Sequence, residues 1–411
     1  MTRLEMLLRG LAQREDRVVA LQTALTACRA LGPDNGGQGE MEKTCFIEAC
    51  LRACGVSDLV RLDAPDPRVD SGVRPNLIAR LSGSNSRTLW LFAHTDVVPP
   101  GDINAWSSDP WTVYRTGDVL YGRGVEDNQQ AIVSMLLLAE ELSASGISPA
   151  LSLGLVFMAD EETGSAYGLR HILAASPAMF HADDYYIVPD GGSPRGDSIE
   201  LAEKGVLWVK VVVKGAQCHA STPQKGRNAF VAASAMVLAC QERLHAVFHA
   251  RDTLYDPPYS TFVPSKHEAN VPNINTVPGE DIFYMDCRLL PQVTVDAVLA
   301  ELRVVATDIE QQYGMHIETS IVQRQDATSS PRSHPVVMAL QAAVAHVYAV
   351  EARPIGIGVA TVAAFLRERD LPAAVWSCID NSCHAPNEHA SITSTIRDAQ
   401  VFAHILMQAH D

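Results

Sequence analysis

Imidazole and carboxylate side chains follow several apolar, strand-like segments of this chain, each at the point where the segment ends. Three such segments span residues 88–93, 153–159 and 185–188. In open α/β sheets, ligands gather just beyond the carboxyl ends of the strands, so side chains at these positions meet at one edge. The sequence therefore predicts an α/β fold with a site built from His94, Asp96, Asp127, Glu161, Glu162, Asp190 and His384.

This set of side chains has the composition of a dinuclear zinc site. Zinc takes imidazole nitrogen and carboxylate oxygen ligands, and two imidazoles with three carboxylates can hold two ions when one carboxylate bridges them. One glutamate then remains for proton transfer. A single His-x-Asp or Glu-Glu pair is more typical of an ordinary loop or a solvated surface, so the prediction depends on the whole set.

The spacing within the motifs is also chemically consistent. Residues two apart in a strand face the same side, so Asp96 can orient the imidazole of His94. Glu161 and Glu162 are adjacent and point in different directions, so one can bind a metal while the other faces the bound water. The pair thus indicates a ligand and a base.

Seven motifs occur in order from about Leu91 to the end of the chain, and the first ninety residues carry none. They are HTD, YGRGVED, ADEETGS, PDGG, KGAQCHASTPQKGRNA, NTVPGEDIFYMDCR and HAPNE. Together they resemble the motifs of the dinuclear-zinc amidohydrolase and exopeptidase family. This family includes acetylornithine deacetylase, succinyl-diaminopimelate desuccinylase, aminoacylase and glutamate carboxypeptidase.

The resemblance implies how the metal ligands are shared between two zinc ions. His94 and Asp190 would bind one ion, Glu162 and His384 the other, and Asp127 would bridge both. Co²⁺ or Mn²⁺ could take the place of zinc.

The resemblance also implies the catalytic residues. Glu161 matches the general base of the family, and Asp96 matches the residue that supports the first histidine ligand. His219 matches a histidine that reaches from a second protomer and donates a hydrogen bond to the oxyanion, which implies a homodimer.

Three further positions are expected to contact the substrate. Asn275 and Arg288 match substrate-binding positions of the family, where the arginine grips a carboxylate through its two-pronged donor geometry. Thr361 follows a segment whose backbone is expected, from the resemblance, to approach the substrate. For Arg288 the alternative is an ordinary salt bridge at a strand edge.

The chain departs from the family pattern in three places. Gln129 and Gln130 stand where many members have Lys-Gly, which alters the first turn of a helix. Val359 and Ala360 interrupt a run that is usually glycine, so they narrow the pocket or shift the loop. Phe365 replaces an arginine of the desuccinylase branch, which argues against a site selective for diacids.

The order of the predicted elements changes in the middle of the chain. Up to residue 204 helices and strands alternate, whereas residues 205–326 have a β-α-β-β-α-β pattern. Catalytic motifs lie on both sides of that block, so it is an insertion. We predict a zinc-exopeptidase-like catalytic domain at 1–204 and 327–411, with a central mixed, mostly parallel sheet between helices. The inserted domain at 205–326 is expected to be a ferredoxin-like α+β dimerisation domain.

The composition excludes several other classes of protein. The 411 residues include 48 acidic and 32 basic side chains, for a formal net charge of −16. This charge opposes binding to nucleic acid or anionic membranes, and the apolar stretches are too short to span a bilayer. Nine cysteines without a C-x-x-C motif are typical of reduced thiols. We therefore expect a cytoplasmic protein with no nucleic-acid or membrane partner.

We expect a hydrolase that cleaves an amide bond in a small carboxylate substrate, such as an N-acyl amino acid or a dipeptide. It would use two Zn²⁺ per protomer, with Glu161 as the general base. The same scaffold would suit a succinyl-diaminopimelate desuccinylase, against which Phe365 argues. A third hypothesis is a catalytically inactive relative that binds metabolites, and the complete set of ligands argues against it.

Overall fold

The computed structural model describes residues 1–408 of the chain, which separate into two compact units. The first contains Met1–Leu201, Ser330–Pro354 and the chain from Thr361 onward, and the second contains Ala202–Ser329 and Ile355–Ala360. The sequence prediction placed the insertion at 205–326 and residues 355–360 in the larger domain. The structure groups that short segment with the second unit, where the Gly356 N–H donates to the Leu254 carbonyl oxygen at 2.7 Å.

The helices of the described chain are α1 (Arg3–Leu11), α2 (Glu15–Ala27), α3 (Met41–Ala53), α4 (Gln129–Ser145), α5 (Leu169–Ala175), α6 (Ala229–Val247), α7 (Val295–Tyr313), α8 (Pro335–Tyr348), α9 (Ala363–Arg367) and α10 (Ile392–Met407). Within residues 1–408, no helix combines the length and the apolar character that crossing a lipid bilayer requires.

The strands are β1 (Asp58–Arg61), β2 (Ala64–Pro65), β3 (Val73–Arg74), β4 (Leu77–Leu81), β5 (Thr88–His94), β6 (Tyr114–Thr116), β7 (Val119–Tyr121), β8 (Ser152–Met158), β9 (Tyr185–Gly192), β10 (Ser198–Glu203), β11 (Gly205–Lys214), β12 (Cys218–His219), β13 (Thr261–His267), β14 (Thr276–Val277), β15 (Glu280–Leu289), β16 (His316–Gln325), β17 (Thr328–Ser329), β18 (Arg353–Ile357), β19 (Ala373–Ser377) and β20 (His389–Ser391).

The first unit is built around a mixed sheet with the strand order β1-β4-β8-β5-β9-β19-β10. The central strands β8, β5, β9 and β19 are parallel, and the outer pairings are antiparallel. β5 is buried along its whole length, because Leu89 and Leu91 pack with the helices α1–α4, α8 and α10, whereas Trp90 and Phe92 pack with α5 and α9. A strand covered on both faces is expected to be a continuous apolar run, as this one is. The mixed sheet between two helical layers confirms the predicted α/β fold class.

The second unit contains an antiparallel sheet with the strand order β13-β15-β11-β16. In β11, Leu207, Val209, Val211 and Val213 pack with α6 and α7, and the residues between them face the other side of the sheet. Along the chain the six elements follow one another as β-α-β-β-α-β, which is the ferredoxin-like order expected from the sequence. A short two-stranded arm, β12 with β14, lies outside this sheet.

Candidate metal centre

Neighbouring parallel strands bring most of the candidate ligands to one edge of the sheet in the first unit. β5 ends at His94, β8 ends shortly before Glu161, and β9 contains Asp190. Because β5 is parallel to both β8 and β9, the carboxyl ends of the three strands lie at the same edge. Asp127 precedes α4, and His384 lies in the loop between β19 and β20.

The carboxylate of Asp127 connects the two imidazoles. Its Oδ1 lies 2.7 Å from Nε2 of His94, and its Oδ2 lies 3.1 Å from Nε2 of His384. The same nitrogen of His94 is 3.6 Å from Oδ1 of Asp190, and that of His384 is 3.1 Å from Oε2 of Glu162. All the predicted metal ligands thus form one connected group, in which each oxygen of Asp127 faces a different histidine.

Two overlapping sets of side chains are compact enough to hold a cation. The ligand atoms of His94, Glu161 and Asp190 lie within 4.8 Å of one another, and so do those of His94, Asp127 and Glu162. Glu161, the predicted base, therefore lies directly beside the predicted ligands rather than apart from them. His384 is the most solvent-accessible member, with 54% of its side chain exposed.

The electrostatics of this group favour a bound cation. Burial raises the pKa of Glu161 well above its usual range, and the charge of Asp190 raises it further. Burial likewise raises the pKa of Glu162, whose Oε1 has no hydrogen-bond partner among the described residues. Hydrogen bonds to Asp127 and Glu162 raise the pKa of His384 to about 10. Buried carboxylates of this kind need a cation or a proton, and a divalent ion is the larger compensating charge.

Asp96 supports both the histidine and the two glutamates. Nδ1 of His94 lies 3.1 Å from the backbone carbonyl oxygen of Asp96 and 3.4 Å from its Oδ1. The carboxylate of Asp96 also accepts hydrogen bonds from the backbone N–H groups of Glu161 and Glu162, at 3.1 Å each. The contact with the ring is the one that the sequence analysis expected. The two hydrogen bonds to the backbone of Glu161–Thr163, which we call the glutamate turn, were not foreseen.

Glu388 is a residue of the site that sequence reasoning missed. It is fully buried, and its Oε1 accepts hydrogen bonds from the N–H groups of Glu126 (3.0 Å) and Asp127 (3.1 Å). Its Oε2 accepts from the Gly124 N–H (3.1 Å) and from Nη1 of Arg123 (2.5 Å). Glu388 lies in the HAPNE motif, so it ties the loop of the bridging aspartate to the loop of the second histidine. The carboxylate in that motif was the only available signal, because its partners are more than 260 residues away in the chain.

Asn128 supports another ligand from the position directly after the bridging aspartate. Its Nδ2 donates to Oδ1 of Asp190 at 2.7 Å and to the carbonyl oxygen of Pro189 at 2.9 Å. The ligand on β9 is therefore oriented by the loop that also presents Asp127.

A buried ion-pair cluster holds the residue that precedes the two glutamates. Arg74 contacts Glu40, and its Nη1 lies 3.5 Å from Oδ1 of Asp160 and 3.8 Å from Oδ2 of Asp66. We call these four residues the Arg74 cluster. Asp160 in turn accepts a hydrogen bond from the Tyr167 N–H at 2.9 Å, which closes the glutamate turn. The N-terminal region, where the sequence shows no motif, thus contributes to the support of the site.

His219 lies in β12 of the second unit, and Asn275 directly precedes β14. The Ala220 N–H donates to the Asn275 carbonyl oxygen at 2.8 Å, and the ring of His219 is exposed. Nδ1 of His219 accepts a hydrogen bond from the Ser221 N–H at 3.1 Å. In the neutral ring the proton is therefore on Nε2, which is available as a donor.

Arg288 lies in β15 of the second unit and is held by an acidic neighbour. Its Nε and Nη2 donate to Oδ1 and Oδ2 of Asp286 at 2.7 and 3.0 Å, and its Nη1 donates to the carbonyl oxygen of Gly358 at 3.0 Å. The salt bridge that was the alternative role of Arg288 is therefore present. It uses only part of the donor capacity of the guanidinium group.

Thr361 and Phe365 belong to the first unit. Oγ1 of Thr361 accepts a hydrogen bond from the Ala363 N–H at 3.1 Å, at the start of α9. Phe365 packs against the apolar core, and the guanidinium carbon of Arg170 lies 3.9 Å from the centre of its ring. The first unit thus gathers the metal ligands, the base and Asp96, whereas His219, Asn275 and Arg288 belong to the second unit.

The glutamines that depart from the family pattern anchor the first turn of α4. Oε1 of Gln129 accepts a hydrogen bond from Oγ1 of Thr26 at 3.0 Å. Nε2 of Gln130 donates to Oδ2 of Asp398 at 2.9 Å and to the carbonyl oxygen of Cys378 at 2.8 Å. Both glutamine side chains are buried, so they stabilise the helix that begins just after Asp127.

All nine cysteines of the chain are free thiols.

The region that carries the motifs matches the model of one protein family. Residues 90–408 match the model of the family described as Peptidase family M20/M25/M40. The chain belongs to this family. The resemblance inferred from the motifs is thereby confirmed, and the M20 match begins just before the first motif.

Individual relatives of this M20 chain differ in how much of it they cover. An uncharacterized metallohydrolase of Methanococcus maripaludis is 33% identical in an alignment that covers 95% of this chain and 99% of that protein. A succinyl-diaminopimelate desuccinylase of Verminephrobacter eiseniae is 31% identical over 208 residues, which cover 50% of this chain and 51% of the relative. The solved structure of a tripeptidase from Staphylococcus aureus has a TM-score of 0.77 at 17% identity and covers 96% of this chain and 98% of that one. This last likeness shows a shared fold.

Proposed function

We propose that this M20 chain is a metal-dependent hydrolase that cleaves an amide bond in a small carboxylate substrate, an N-acyl amino acid or a dipeptide. Glu161 would act as the general base. The observation that carries the proposal is the connected group of histidines and carboxylates around Asp127, with Glu161 beside it. Membership of the peptidase family and the metallohydrolase relative support the reaction class.

The donor set fits two divalent cations. Each oxygen of Asp127 faces a different histidine, and Oε1 of Glu162 is buried without a hydrogen-bond partner in the described chain. His94 and Asp190 would hold one ion, Glu162 and His384 the other, and Asp127 both. Nitrogen and oxygen ligands suit Zn²⁺, with Co²⁺ or Mn²⁺ as substitutes. When bound, the ions would supply a nucleophilic water at neutral pH and polarise the amide carbonyl.

Glu161 would move the protons of the reaction. It would accept a proton from the attacking water and later pass it to the departing amine. Burial raises the pKa of Glu161, which is the direction that a proton acceptor working near neutral pH requires. The two hydrogen bonds from the glutamate turn to Asp96 fix the backbone from which Glu161 projects.

The family resemblance also implies roles for residues of the second unit. His219 would donate from Nε2 to the developing oxyanion, and its Nδ1 contact with the Ser221 N–H supports that tautomer. By the family resemblance this histidine would act on a second protomer, so we propose a homodimer. By the same resemblance, Asn275, Arg288 and Thr361 would contact the substrate.

A desuccinylase acting on succinyl-diaminopimelate is the second candidate. The relative with that name supports it, although the match covers about half of each chain. Phe365 argues against it, because an apolar ring stands at the position where that branch has an arginine. A substrate panel separates the two candidates.

The test is a hydrolysis screen with protein that has been stripped of metal and then loaded with Zn²⁺, Co²⁺ or Mn²⁺. The panel contains N-acetyl amino acids, dipeptides and succinyl-diaminopimelate. We expect turnover of the first or second group, and loss of that activity with a chelator or in Glu161→Gln. A protein that binds metal and hydrolyses none of these amides would be the inactive metabolite-binding relative instead.

Mixing two inactive variants tests the proposed dimer. A dimer formed from His219→Ala and Glu161→Gln chains contains one site with both native residues if His219 acts across the interface. We expect the mixture to recover about a quarter of the wild-type activity, in line with random pairing in a closed dimer. No recovery, under conditions in which the chains exchange, would show that His219 acts within its own chain.

A further inference from the structure

The guanidinium of Arg288 has N–H donors that its contacts within the second unit do not use. An arginine side chain carries five N–H bonds. Asp286 accepts two of them and the Gly358 carbonyl oxygen accepts a third. Among the described residues no other acceptor contacts this guanidinium, so two N–H bonds remain, one on Nη1 and one on Nη2.

Asp286 is itself fixed by a tryptophan on the neighbouring strand. Trp208 is the register partner of Asp286 in the β11–β15 pairing, and its Nε1 donates to Oδ2 of Asp286 at 3.0 Å. Asp286 and Arg288 are two apart in β15, so they lie on the same face of the sheet. The plane of the guanidinium is therefore defined from β11, from β15 and from the segment Ile355–Ala360.

The exposure of the pair argues for a role other than stability. About a quarter of each side chain is exposed, with values of 26% for Arg288 and 28% for Asp286. Ion pairs as accessible as this contribute little to the free energy of unfolding. The two hydrogen bonds to Asp286 instead fix the orientation of the Arg288 side chain.

We propose that Asp286 is a positioning residue for substrate recognition, which holds Arg288 so that its remaining Nη1–H and Nη2–H are presented to one carboxylate of the substrate. This inference rests on the proposed function. A guanidinium recognises a carboxylate best through two parallel hydrogen bonds, and a fork that is already fixed loses less entropy on binding. Asp286 offsets the charge of Arg288, so the pair attracts anions only weakly and selects its ligand by hydrogen-bond geometry. This favours a substrate with a single carboxylate over a polyanion.

The opposite role of Asp286 makes a different prediction. If Asp286 merely competes with the substrate for Arg288, its removal frees donors and binding of the substrate tightens. If Asp286 positions Arg288, its removal lets the arginine move and binding weakens. The sign of the change in KM therefore distinguishes the two roles.

The experiment compares a substrate that has a free carboxylate with the same substrate as its carboxamide. For Asp286→Ala we expect KM of the carboxylate substrate to rise roughly tenfold with kcat little changed, and KM of the carboxamide to stay the same. Trp208→Phe should shift KM in the same direction by a smaller factor, and Asp286→Glu should restore part of the loss.

Asp296→Ala is the matched control. It removes another Asp–Arg pair of the same unit, in which Nη1 and Nη2 of Arg324 donate to Asp296 at 2.8 and 3.2 Å. We expect no change in either KM. Melting temperatures of all variants show whether each one folds. If Asp286→Ala does not fold, Trp208→Phe provides the test.

Three outcomes would overturn the inference: an equal rise in KM for both substrates, a fall in KM for the carboxylate, or no change. If the wild type hydrolyses no amide, the proposed function fails and a binding assay still decides the role of Asp286. Calorimetry with N-acetylglycine and N-acetylglycinamide then replaces kinetics. Weaker binding of only the carboxylate by Asp286→Ala would support positioning, and the absence of binding to the wild type would exclude it.

Discussion

Two buried groups of carboxylates in the first unit differ in what balances their charge. In the Arg74 cluster, an arginine with no exposed side-chain surface contacts Glu40 and lies near Asp66 and Asp160. Around Asp127 the carboxylates have two imidazoles as neighbours, and one oxygen of Glu162 has no hydrogen-bond partner in the described chain. The first group contains an arginine of its own, and we propose that the second takes up divalent cations from solution. A buried acidic group thus points to metal binding when carboxylate oxygens in it lack partners within the protein.

The largest expected effect is a loss of catalytic rate without a loss of bound metal. Glu161→Gln removes the proposed proton acceptor and leaves the Arg74 cluster and the predicted metal ligands in place. We expect kcat to fall by about 10²–10⁴-fold, as for the loss of a general base, with bound metal unchanged. Steady-state kinetics together with metal analysis check this. Retention of wild-type kcat would refute the role of Glu161.

The next effect tests the cluster that contains its own cation. Arg74→Met leaves Glu40 buried without its partner, and we expect a loss of about 3–5 kcal/mol in the free energy of unfolding. Urea denaturation of metal-free protein measures it. The double variant Arg74→Met with Glu40→Met is the control, since removal of both charges should restore most of the stability. A loss below about 1 kcal/mol for the single variant would contradict the role given to the buried Arg74–Glu40 pair.

Lys43 extends the comparison to a buried cation. Its side chain is 1% exposed, and desolvation lowers the pKa of its ammonium group from 10.5 to about 8. Because the folded pKa is the lower one, the unfolded chain binds more protons between these values, and this residue makes stability rise with pH across that window. Below pH 8 the full penalty is present, at about 3 kcal/mol.

The variant Lys43→Met should therefore be more stable than the wild type below pH 8, by up to about 3 kcal/mol. The advantage should disappear as the pH rises from 8 to 10.5. Urea denaturation at several pH values measures the difference between the two proteins. A constant difference across this range would contradict the assignment, and Lys225→Met, on the exposed surface, is a control that should show no difference.

The smallest effect is expected at Glu162, and its sign is opposite to that of the matched substitution in the Arg74 cluster. In metal-free protein Glu162→Gln removes one of several crowded charges, so we expect unfolding free energy to stay the same or rise by about 1 kcal/mol. Glu40→Gln, the matched substitution in the Arg74 cluster, should lower it, because Arg74 then loses its charged partner. Thermal unfolding of both variants without metal makes the comparison. Equal losses of stability in the two variants would remove the distinction between the groups.

The parts of the site that were predictable from the sequence are those governed by local patterns. Apolar runs predicted the central strands, and the rule that ligands follow strand ends placed His94, Glu161 and Asp190 at one edge. Motif resemblance added Asp127 and His384, which lie on loops.

The remaining parts depend on partners that are distant in the chain. Glu388 binds backbone groups more than 260 residues away, and Arg74 reaches Asp160 from a region without a motif. The proposed role of Asp286 could not be predicted either, because it follows from the register that pairs this residue with Trp208. A single sequence shows which side chains are present, but such supporting contacts appear only when the strands and loops are placed.

The most direct test of the account is the number of divalent cations that one chain binds. Metal-free protein is equilibrated by dialysis with Zn²⁺ and its metal content is measured by mass spectrometry, for the wild type and for Asp127→Asn. We predict about two ions per wild-type chain and a marked loss in the variant, because Asp127 faces both histidines. A wild-type chain that binds no zinc, or a variant that binds two ions as tightly as the wild type, would contradict the account.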